Sequence, residues 1–131
     1  VCLNYRKGKF PMSKITKIEV ITRPEKLEEL KEALNEIQVT GMTVSSVFGC
    51  GLSKGHKEVY RGKQVEISLQ PKIKVEIVVC EVPVESVTEV VKKVCCTGNI
   101  GDGKIFMYGV EDAVKIRTGE RGRDAIVDNH A

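Results

Sequence analysis

Hydrophobic and polar positions alternate along four short segments of the chain, a period-two pattern that predicts half-buried β-strands. In the first segment, Ile18 and Val20 share one face while Lys17 and Glu19 share the other. From residue 72 to residue 79, apolar residues occupy every odd-numbered position. The predicted strands are residues 15–22, 43–48, 72–79 and 105–108.

Two segments between these strands repeat their apolar residues at helical spacing. Pro24 opens the first helix, a favourable use of proline in a first turn, and Gly41 ends it. Pro83 and Glu85 start the second helix, which ends near Gly98. The apolar stripes are Leu27, Leu30, Leu34 and Ile37 in the first helix, and Val84, Val87, Val90, Val91, Val94 and Cys95 in the second.

The predicted elements follow the order β-α-β-β-α-β, which is the order of the ferredoxin-like fold. In this α+β architecture, two right-handed βαβ units place a layer of two helices on one antiparallel sheet. A length of 131 residues suits one domain, which we assign to residues 13–131. We expect residues 1–12, which precede the periodic sequence, to form a disordered extension outside the fold.

The composition argues against several classes of protein. A net charge of +3 and a set of three Phe, three Tyr and no Trp are weak support for nucleic-acid binding. The five cysteines have irregular spacing and include no C-x-x-C motif, so we expect neither a metal site nor a disulfide framework. No apolar run approaches the roughly 20 residues that a spanning helix needs. These features predict a reduced, cytoplasmic protein.

A glycine-rich stretch, TGNIGDGK at residues 97–104, leads into the fourth predicted strand. Glycines allow positive φ and let backbone N–H groups approach a ligand, and successive N–H groups in such a turn form an anion-binding concavity. Lys104 is placed where its ammonium can reach a phosphate. A strand rather than a helix follows the lysine, so the stretch differs from a P-loop. It is either another kind of phosphate loop or a hairpin with a solvated lysine.

The second and third predicted strands are separated by nineteen residues, 52–70. Loops longer than about 12–15 residues are uncommon in compact domains and tend to be functional or disordered. This segment carries several charged residues and too little apolar content to fold alone. It is either a mobile solvated loop or a segment that becomes ordered on a ligand or partner.

Four motifs of the chain resemble the PII nitrogen-regulatory signal proteins (the GlnB and GlnK kind), and they occur in the order found in that family. They are TGMTV at residues 40–44, YRG at 60–62, TGNIGDGKIF at 97–106 and IRTGE at 116–120. The resemblance extends over about residues 13–126. Four collinear motifs are far more specific than any one of them.

The resemblance implies a ferredoxin-like homotrimer whose three intersubunit clefts bind ATP or ADP competitively. The backbone of Gly101, Asp102 and Gly103 and the ammonium of Lys104, within a phosphate loop at 96–104, are implied to hold the phosphates. Lys115 and Arg117, from a C-terminal segment at 115–126, are implied to come from the neighbouring subunit. The implied contacts near the nucleobase are Thr43, Gly49, Cys50, Gly51 and Val78, with Leu52 near the polyphosphate.

The segment 52–70 then corresponds to the T-loop, which in this family senses ligand state and docks on partners. Tyr60, Arg61 and Gly62 are implied to contact the partner, and Arg61 matches the residue that enters ammonium-channel pores. The implied targets are an ammonium transporter, a nitrogenase or other nitrogen-assimilation enzymes and regulators. The chain is then a cytoplasmic regulator that binds no nucleic acid, does not insert into the membrane and has at most slow ATP hydrolysis.

The chain departs from the family pattern at several ligand positions. Ser53 replaces the glutamine that usually coordinates Mg²⁺ and contacts 2-oxoglutarate, although a hydroxyl can still bind Mg²⁺ directly or through water. Leu52 removes a cation, and Lys115 replaces an arginine and its bidentate fork. Lys72, which matches the lysine that pairs with the 2-oxoglutarate carboxylates, is present. We expect lower nucleotide affinity and weakened or absent 2-oxoglutarate binding.

Covalent control of the loop is a further departure. Val65 occupies the position of the usual uridylylation tyrosine, and Lys63 that of the serine phosphorylated in some members. Tyr60 is present but matches a neighbouring position. We therefore expect regulation by nucleotide and metabolite alone.

Two functions of other classes are alternatives to a PII-type regulator. A ferredoxin-like phosphoryl-transfer enzyme would use Lys104, but it would need a general base and carboxylates for Mg²⁺, for which Asp102 alone is available. An RNA-binding module would need aromatic residues on its central strands, and residues 73, 75, 77 and 104–107 offer only Phe106.

Overall fold

The computed structural model describes residues 14–52 and 67–127. The strands are β1 (Thr16–Thr22), β2 (Thr43–Leu52), β3 (Ile67–Val79) and β4 (Lys104–Gly109), and the helices are α1 (Leu27–Glu36), α2 (Val84–Cys95) and a short α3 (Arg123–Ile126). A 3₁₀ turn at Pro24–Lys26 precedes α1. Among the described residues, no helix is long and apolar enough to cross a membrane. The predicted extension at 1–12 lies outside the described residues.

The four strands form one antiparallel sheet in the order β2-β3-β1-β4. This arrangement confirms the predicted α+β, ferredoxin-like βαββαβ fold. β1 is central: Thr16 is paired with Val79 and Gly109, while its other end lies beside Ile73 and Lys104. The sheet therefore has two distinct ends, which we call the Thr16 end and the Thr22 end.

The core lies between one face of the sheet and the helices α1 and α2. Leu30 and Leu34 of α1 are fully buried, as are Val87 of α2 and Val75 of β3. Burying a side chain of this size contributes about 1.5–3 kcal/mol, so the apolar periodicity of the sequence supplies the main driving force for the fold. The core cluster comprises Ile18, Val20, Leu30, Leu34, Val39, Ile73, Val75, Ile77, Val79, Val87, Val91 and Cys95.

The opposite face of the sheet, which we call the open face, is not covered by any helix of the described residues. Lys17 of this face makes a 3.0 Å ion pair with Glu76, and its ammonium lies 5.1 Å from the ring centroid of Tyr108. Val78, Phe106 and Tyr108 are exposed here. A single chain thus leaves large apolar side chains uncovered on this side of the sheet.

Two predicted strand boundaries were wrong. The third strand begins at Ile67 rather than at residue 72, and the second strand continues to Leu52. Both ends of the segment predicted between them, residues 52–70, therefore belong to strands. The residues between the two strands, 53–66, are not described. Pro71 lies inside β3 opposite Phe48, beyond the last pairing with β1 at Ile73. One side of the strand is unpaired there, and a proline is tolerated at such an edge.

The first helix ends at Glu36 and not at Gly41. Gln38 adopts a φ of 73°, and its N–H donates to the carbonyl of Asn35. The left-handed residue that closes the helix is therefore a glutamine, for which composition gives no signal.

Truncating the core should cost a large share of the stability. We expect Leu34→Ala to lower the free energy of unfolding by about 2–5 kcal/mol, because it leaves a cavity in a fully buried site. Urea unfolding followed by circular dichroism measures this loss. Glu32→Ala, on the exposed side of α1, is the control and should stay within about 0.5 kcal/mol. A loss below about 1 kcal/mol for Leu34→Ala would show that the helix layer packs differently.

Candidate functional site

The loop between α2 and β4, residues 97–103, is shaped by its glycines. Gly98, Gly101 and Gly103 have φ values of 87°, 104° and 110°, a region that disfavours other residues. At Gly103 the backbone also packs closely on β1, since a Cβ there would lie 1.8 Å from the carbonyl oxygen of Ile21. Glycine is therefore required at residue 103 both for conformation and for space.

The carboxylate of Asp102 holds the two ends of this loop together. It accepts hydrogen bonds from the backbone N–H of Thr97 at 2.7 Å and of Gly98 at 2.9 Å, and from the Thr97 hydroxyl at 2.5 Å. Arg23 donates to the same carboxylate at 3.3 and 3.4 Å. These donors, the Thr97 hydroxyl and N–H first, hold the pKa of Asp102 well below its usual range. The group is therefore a carboxylate at any physiological pH.

Three consecutive carbonyls of the loop accept hydrogen bonds from side chains of β1, of β3 and of Arg23, the residue that follows β1. The carbonyl of Ile100 accepts from Arg23 at 3.1 Å, that of Gly101 from Lys72 at 2.6 Å, and that of Asp102 from the Thr22 hydroxyl at 2.9 Å. The backbone N–H groups of residues 101–103 donate no hydrogen bond to another group in the described part of the chain. The loop therefore directs its carbonyls toward the sheet and leaves backbone donors for an anion.

Lys72 connects this loop with the end of β2. Its side-chain stem passes Gly49, where a Cβ would lie 3.4 Å from the lysine Cγ, and its ammonium reaches Gly101. The strand register places Lys72 and Gly49 on the open face, and Lys104 lies on that face beside β1. The structure thus brings together predicted residues from β2, β3 and the loop at the Thr22 end of the sheet.

Val78 and Thr43 lie farther along the sheet, Val78 near the Thr16 end and Thr43 level with Glu19 in the middle of β1. Val78 is six residues along β3 from Lys72, roughly 20 Å at about 3.3 Å per residue. Thr43 is paired with Glu76 at the start of β2, six residues from Gly49. A single chain does not bring Thr43 and Val78 to the residues of the Thr22 end.

Lys115 and Arg117 follow β4 and also lie away from the loop. A tight turn carries them, closed by hydrogen bonds from Lys115 N–H to the Glu120 carbonyl at 2.8 Å and from Gly119 N–H to the Lys115 carbonyl at 2.7 Å. Arg117 is exposed, and the Lys115 ammonium lies 3.5 Å from a carboxylate oxygen of Glu120. The cationic residues expected from the tail are thus held on a short, hydrogen-bonded turn.

Two contacts fix the tail to the Thr16 end. The N–H of Val110 donates to the carbonyl of Ile15 at 3.0 Å, and Arg123 forms an ion pair with Glu81, just beyond β3. Asp112 accepts from Arg121 at 2.8 and 2.9 Å, and this contact holds the pKa of Asp112 below its usual value. The tail therefore has a defined place relative to the sheet.

The other predicted residues either lie outside the described residues or belong to the end of β2. Ser53, Tyr60, Arg61 and Gly62 lie outside the described residues. Cys50, Gly51 and Leu52 belong to the end of β2, paired with Leu69, Ser68 and Ile67. Within residues 14–52 and 67–127, no group of three or more His, Cys, Asp or Glu side chains is arranged to hold a metal ion.

Sequence reasoning missed the contributions of Thr22 and Arg23 to the loop, and it included Thr97 in the loop without assigning a role to its side chain. The first two lie almost eighty positions from the carbonyls and carboxylate that they contact. Their role follows once β4 is placed beside β1, because that pairing brings the end of β1 next to the residues preceding β4. The order of the strands was thus the available signal.

Comparison with known sequences gives close matches. A family model described as nitrogen regulatory protein P-II matches residues 15–120. The chain is 50% identical over 110 residues to the nitrogen regulatory PII-like protein of Bacillus subtilis, an alignment that covers 84% of this chain and 95% of that protein. It is 51% identical over 110 residues to nitrogen regulatory protein P-II of Rhodospirillum rubrum, covering 84% and 98%.

Solved structures of B. subtilis GlnK are also similar to this chain. The structure of B. subtilis GlnK superposes with a TM-score of 0.76 at 50% identity, covering 86% of this chain and 99% of that one. A GlnK–ATP complex from B. subtilis superposes with a TM-score of 0.74 at 45% identity, covering 86% and 97%.

Two glycines of the loop should differ sharply in their tolerance of a side chain. Gly103→Ala adds a methyl group onto the carbonyl of Ile21, whereas Gly98→Ala meets no atom within 4 Å and suffers from its positive φ alone. We expect about 1–2 kcal/mol of destabilisation for Gly98→Ala and at least about 2 kcal/mol more for Gly103→Ala. Thermal unfolding of the two variants measures the difference. Equal losses would contradict the close approach of the loop to β1.

Proposed function

The chain belongs to the nitrogen regulatory protein P-II family, and on that basis we propose that it is a cytoplasmic, homotrimeric signal-transduction protein. ATP and ADP compete for its intersubunit clefts. The segment predicted as the T-loop, residues 52–70, carries the nucleotide state to nitrogen-metabolism targets such as an ammonium transporter, a nitrogenase or nitrogen-assimilation enzymes and regulators.

One observation carries the proposal of a shared site. The predicted nucleotide residues form two groups in one sheet: the loop, Gly49 and Lys72 at the Thr22 end, and Val78 and the tail near the Thr16 end, while Thr43 is level with Glu19 in the middle of β1. The predicted nucleobase contacts are themselves divided: Gly49 lies beside Lys72, and Val78 lies roughly 20 Å along β3 from that lysine, a distance that one purine ring cannot bridge within a single chain. In a cyclic trimer, the Thr22 end of one subunit faces the Thr16 end of the next, and each cleft becomes complete.

The open face of the sheet supports the trimer. Val78, Phe106 and Tyr108 are exposed on this face of a single chain. Exposed large apolar side chains that share a surface mark an interaction site more often than a free surface. Packing of three open faces around a common axis covers these side chains and brings the clefts to the boundaries between subunits.

The chemistry of the loop fits a polyphosphate. Backbone N–H groups of residues 101–103, together with the ammonium groups of Lys72 and Lys104, present donors and positive charge on one side of the loop. The similar B. subtilis GlnK that is described as an ATP complex supports ATP as the ligand. Mg²⁺ then enters with ATP, with Ser53 as its protein contact.

Regulation then follows from a population shift. ATP and ADP leave the T-loop in different ensembles, and an effector changes their balance through differential affinity for the two states. A coupling of about 1–3 kcal/mol between clefts is enough for one site to influence the next. The relatives are regulatory proteins by name, and we propose no turnover beyond slow ATP hydrolysis.

The response to 2-oxoglutarate is proposed to be weak or absent. Ser53 is shorter than the glutamine usual at its position. Lys72, the expected partner of the 2-oxoglutarate carboxylates, donates to the carbonyl of Gly101 at 2.6 Å. A carboxylate ligand therefore shares this ammonium with the loop and lacks the amide that normally accompanies it.

Calorimetric titration of ATP with Mg²⁺ tests the proposal. We expect the wild-type protein to bind ATP with no change on addition of 2-oxoglutarate. Lys104→Ala should weaken ATP binding about tenfold or more, because it removes a charge-assisted contact to phosphate.

Lys93→Ala is the matched control, because Lys93 is an exposed lysine of α2 and its loss changes the net charge equally. Equal effects of the two variants, or no ATP binding by the wild type, would contradict the proposed site. Tighter ATP binding with 2-oxoglutarate would show that Ser53 still supports the metabolite.

A further inference from the structure

We propose that Asp102 is a positioning residue: its carboxylate holds residues 97–103 in the phosphate-binding conformation without itself contacting the nucleotide or Mg²⁺. The inference rests on the proposed function of the loop and assigns a distinct role to one of its members. Only the backbone of Asp102 then contacts the ligand, while its side chain accepts hydrogen bonds from other residues of the loop.

The hydrogen bonds of the carboxylate leave it no capacity for a ligand. Oδ2 accepts from the N–H groups of Thr97 and Gly98, and Oδ1 accepts from the Thr97 hydroxyl and from two nitrogens of Arg23. A carboxylate offers about four lone-pair sites, and five donors converge on this one. A metal ion or a substrate proton would have to displace protein donors.

The same bonds set the path of the chain through the loop. Thr97 and Gly98 begin the loop and Asp102 lies near its end, so the carboxylate closes it across four or five residues. Arg23 joins the closure to β1 by also donating to the carbonyl of Ile100. Without the carboxylate, Gly98 and Gly101 are free to leave their left-handed conformations, and the N–H groups no longer point to one place.

If Asp102 acted only through its negative charge, the expected effect on ATP affinity would have the opposite sign. A carboxylate beside a bound polyphosphate repels the polyphosphate. Removing the carboxylate of Asp102 also releases the guanidinium of Arg23 as an additional cation. If the negative charge were the main effect of Asp102, neutralising it would strengthen the binding of ATP. If positioning is the main effect, the same change weakens binding. The sign of the change in affinity therefore separates the two roles.

Asp102→Asn is the decisive variant, because it keeps the size of the side chain. Its amide nitrogen is a donor, so it meets either the N–H groups of Thr97 and Gly98 or the guanidinium of Arg23 without accepting from them. We expect ATP affinity to fall about tenfold to a hundredfold, the range for losing hydrogen bonds to a charged group. Calorimetry at a temperature where both proteins are fully folded by circular dichroism gives the dissociation constants.

Glu89→Gln is the matched control, since Glu89 is an exposed carboxylate of α2 paired with Lys92 and its loss changes net charge by the same amount. It should leave ATP affinity within about twofold. Thr97→Val is the second variant, because it removes one donor to Asp102 with no change of charge. It should weaken ATP binding about threefold to tenfold, in the same direction as Asp102→Asn.

The double variant, which combines Asp102→Asn with Thr97→Val, gives a measurement that does not depend on general loss of stability. If Thr97 and Asp102 act through one contact, their effects on ATP affinity are less than additive. Unchanged or tighter ATP binding by Asp102→Asn, or no effect of Thr97→Val, would overturn the proposed role. Failure of the wild type to bind ATP would instead refute the proposed function of the loop, so the two failures are distinguishable.

Discussion

The antiparallel pairing of β1 with both β3 and β4 is the constraint on which the rest of the structure depends. It is seven residues long on the β3 side. At one end, Thr22 and Arg23 reach the glycine-rich loop; at the other, Ile15 anchors the tail after β4. The length of β1 therefore sets the separation of the two groups of predicted nucleotide residues. Because one purine ring cannot contact both Gly49 and Val78 of the same chain, the proposed site requires a second subunit.

The loop itself is stabilised more by side chains than by regular backbone hydrogen bonds. Its carbonyls are held by Thr22, Arg23 and Lys72, and its two ends by the carboxylate of Asp102. The close contact between Gly103 and the carbonyl of Ile21 prevents the loop from moving toward the sheet. The loop conformation that we propose binds phosphate thus exists in the free chain, which lowers the ordering entropy that binding would otherwise cost.

Much of the fold was predictable because burial follows periodicity. The odd-numbered residues of β3 from Ile73 to Val79 are buried as the alternation indicated, and Leu30 and Leu34 anchor α1. Boundaries were harder. β3 continues through Pro71, where it has one neighbouring strand, and Gln38 rather than a glycine provides the left-handed turn after α1.

The candidate site was predictable from local sequence only in part. The positive φ values of Gly98, Gly101 and Gly103 agree with the turn inferred from composition. The roles of Arg23 and Thr22 were not visible, since their partners lie almost eighty residues away and depend on which strands are neighbours. Membership of the P-II family was recognisable because four motifs occur in the family's order.

The central claim is that one cleft takes its loop from one subunit and its tail from another. The most direct test mixes Lys104→Ala chains with Arg117→Ala chains, unfolds and refolds them together, and measures the number of ATP sites by calorimetry. Neither variant alone should bind ATP at wild-type affinity. Random mixing should restore such affinity in about a quarter of the clefts, those that combine an intact loop with an intact tail. No recovery in trimers shown to contain both chains would contradict a shared site.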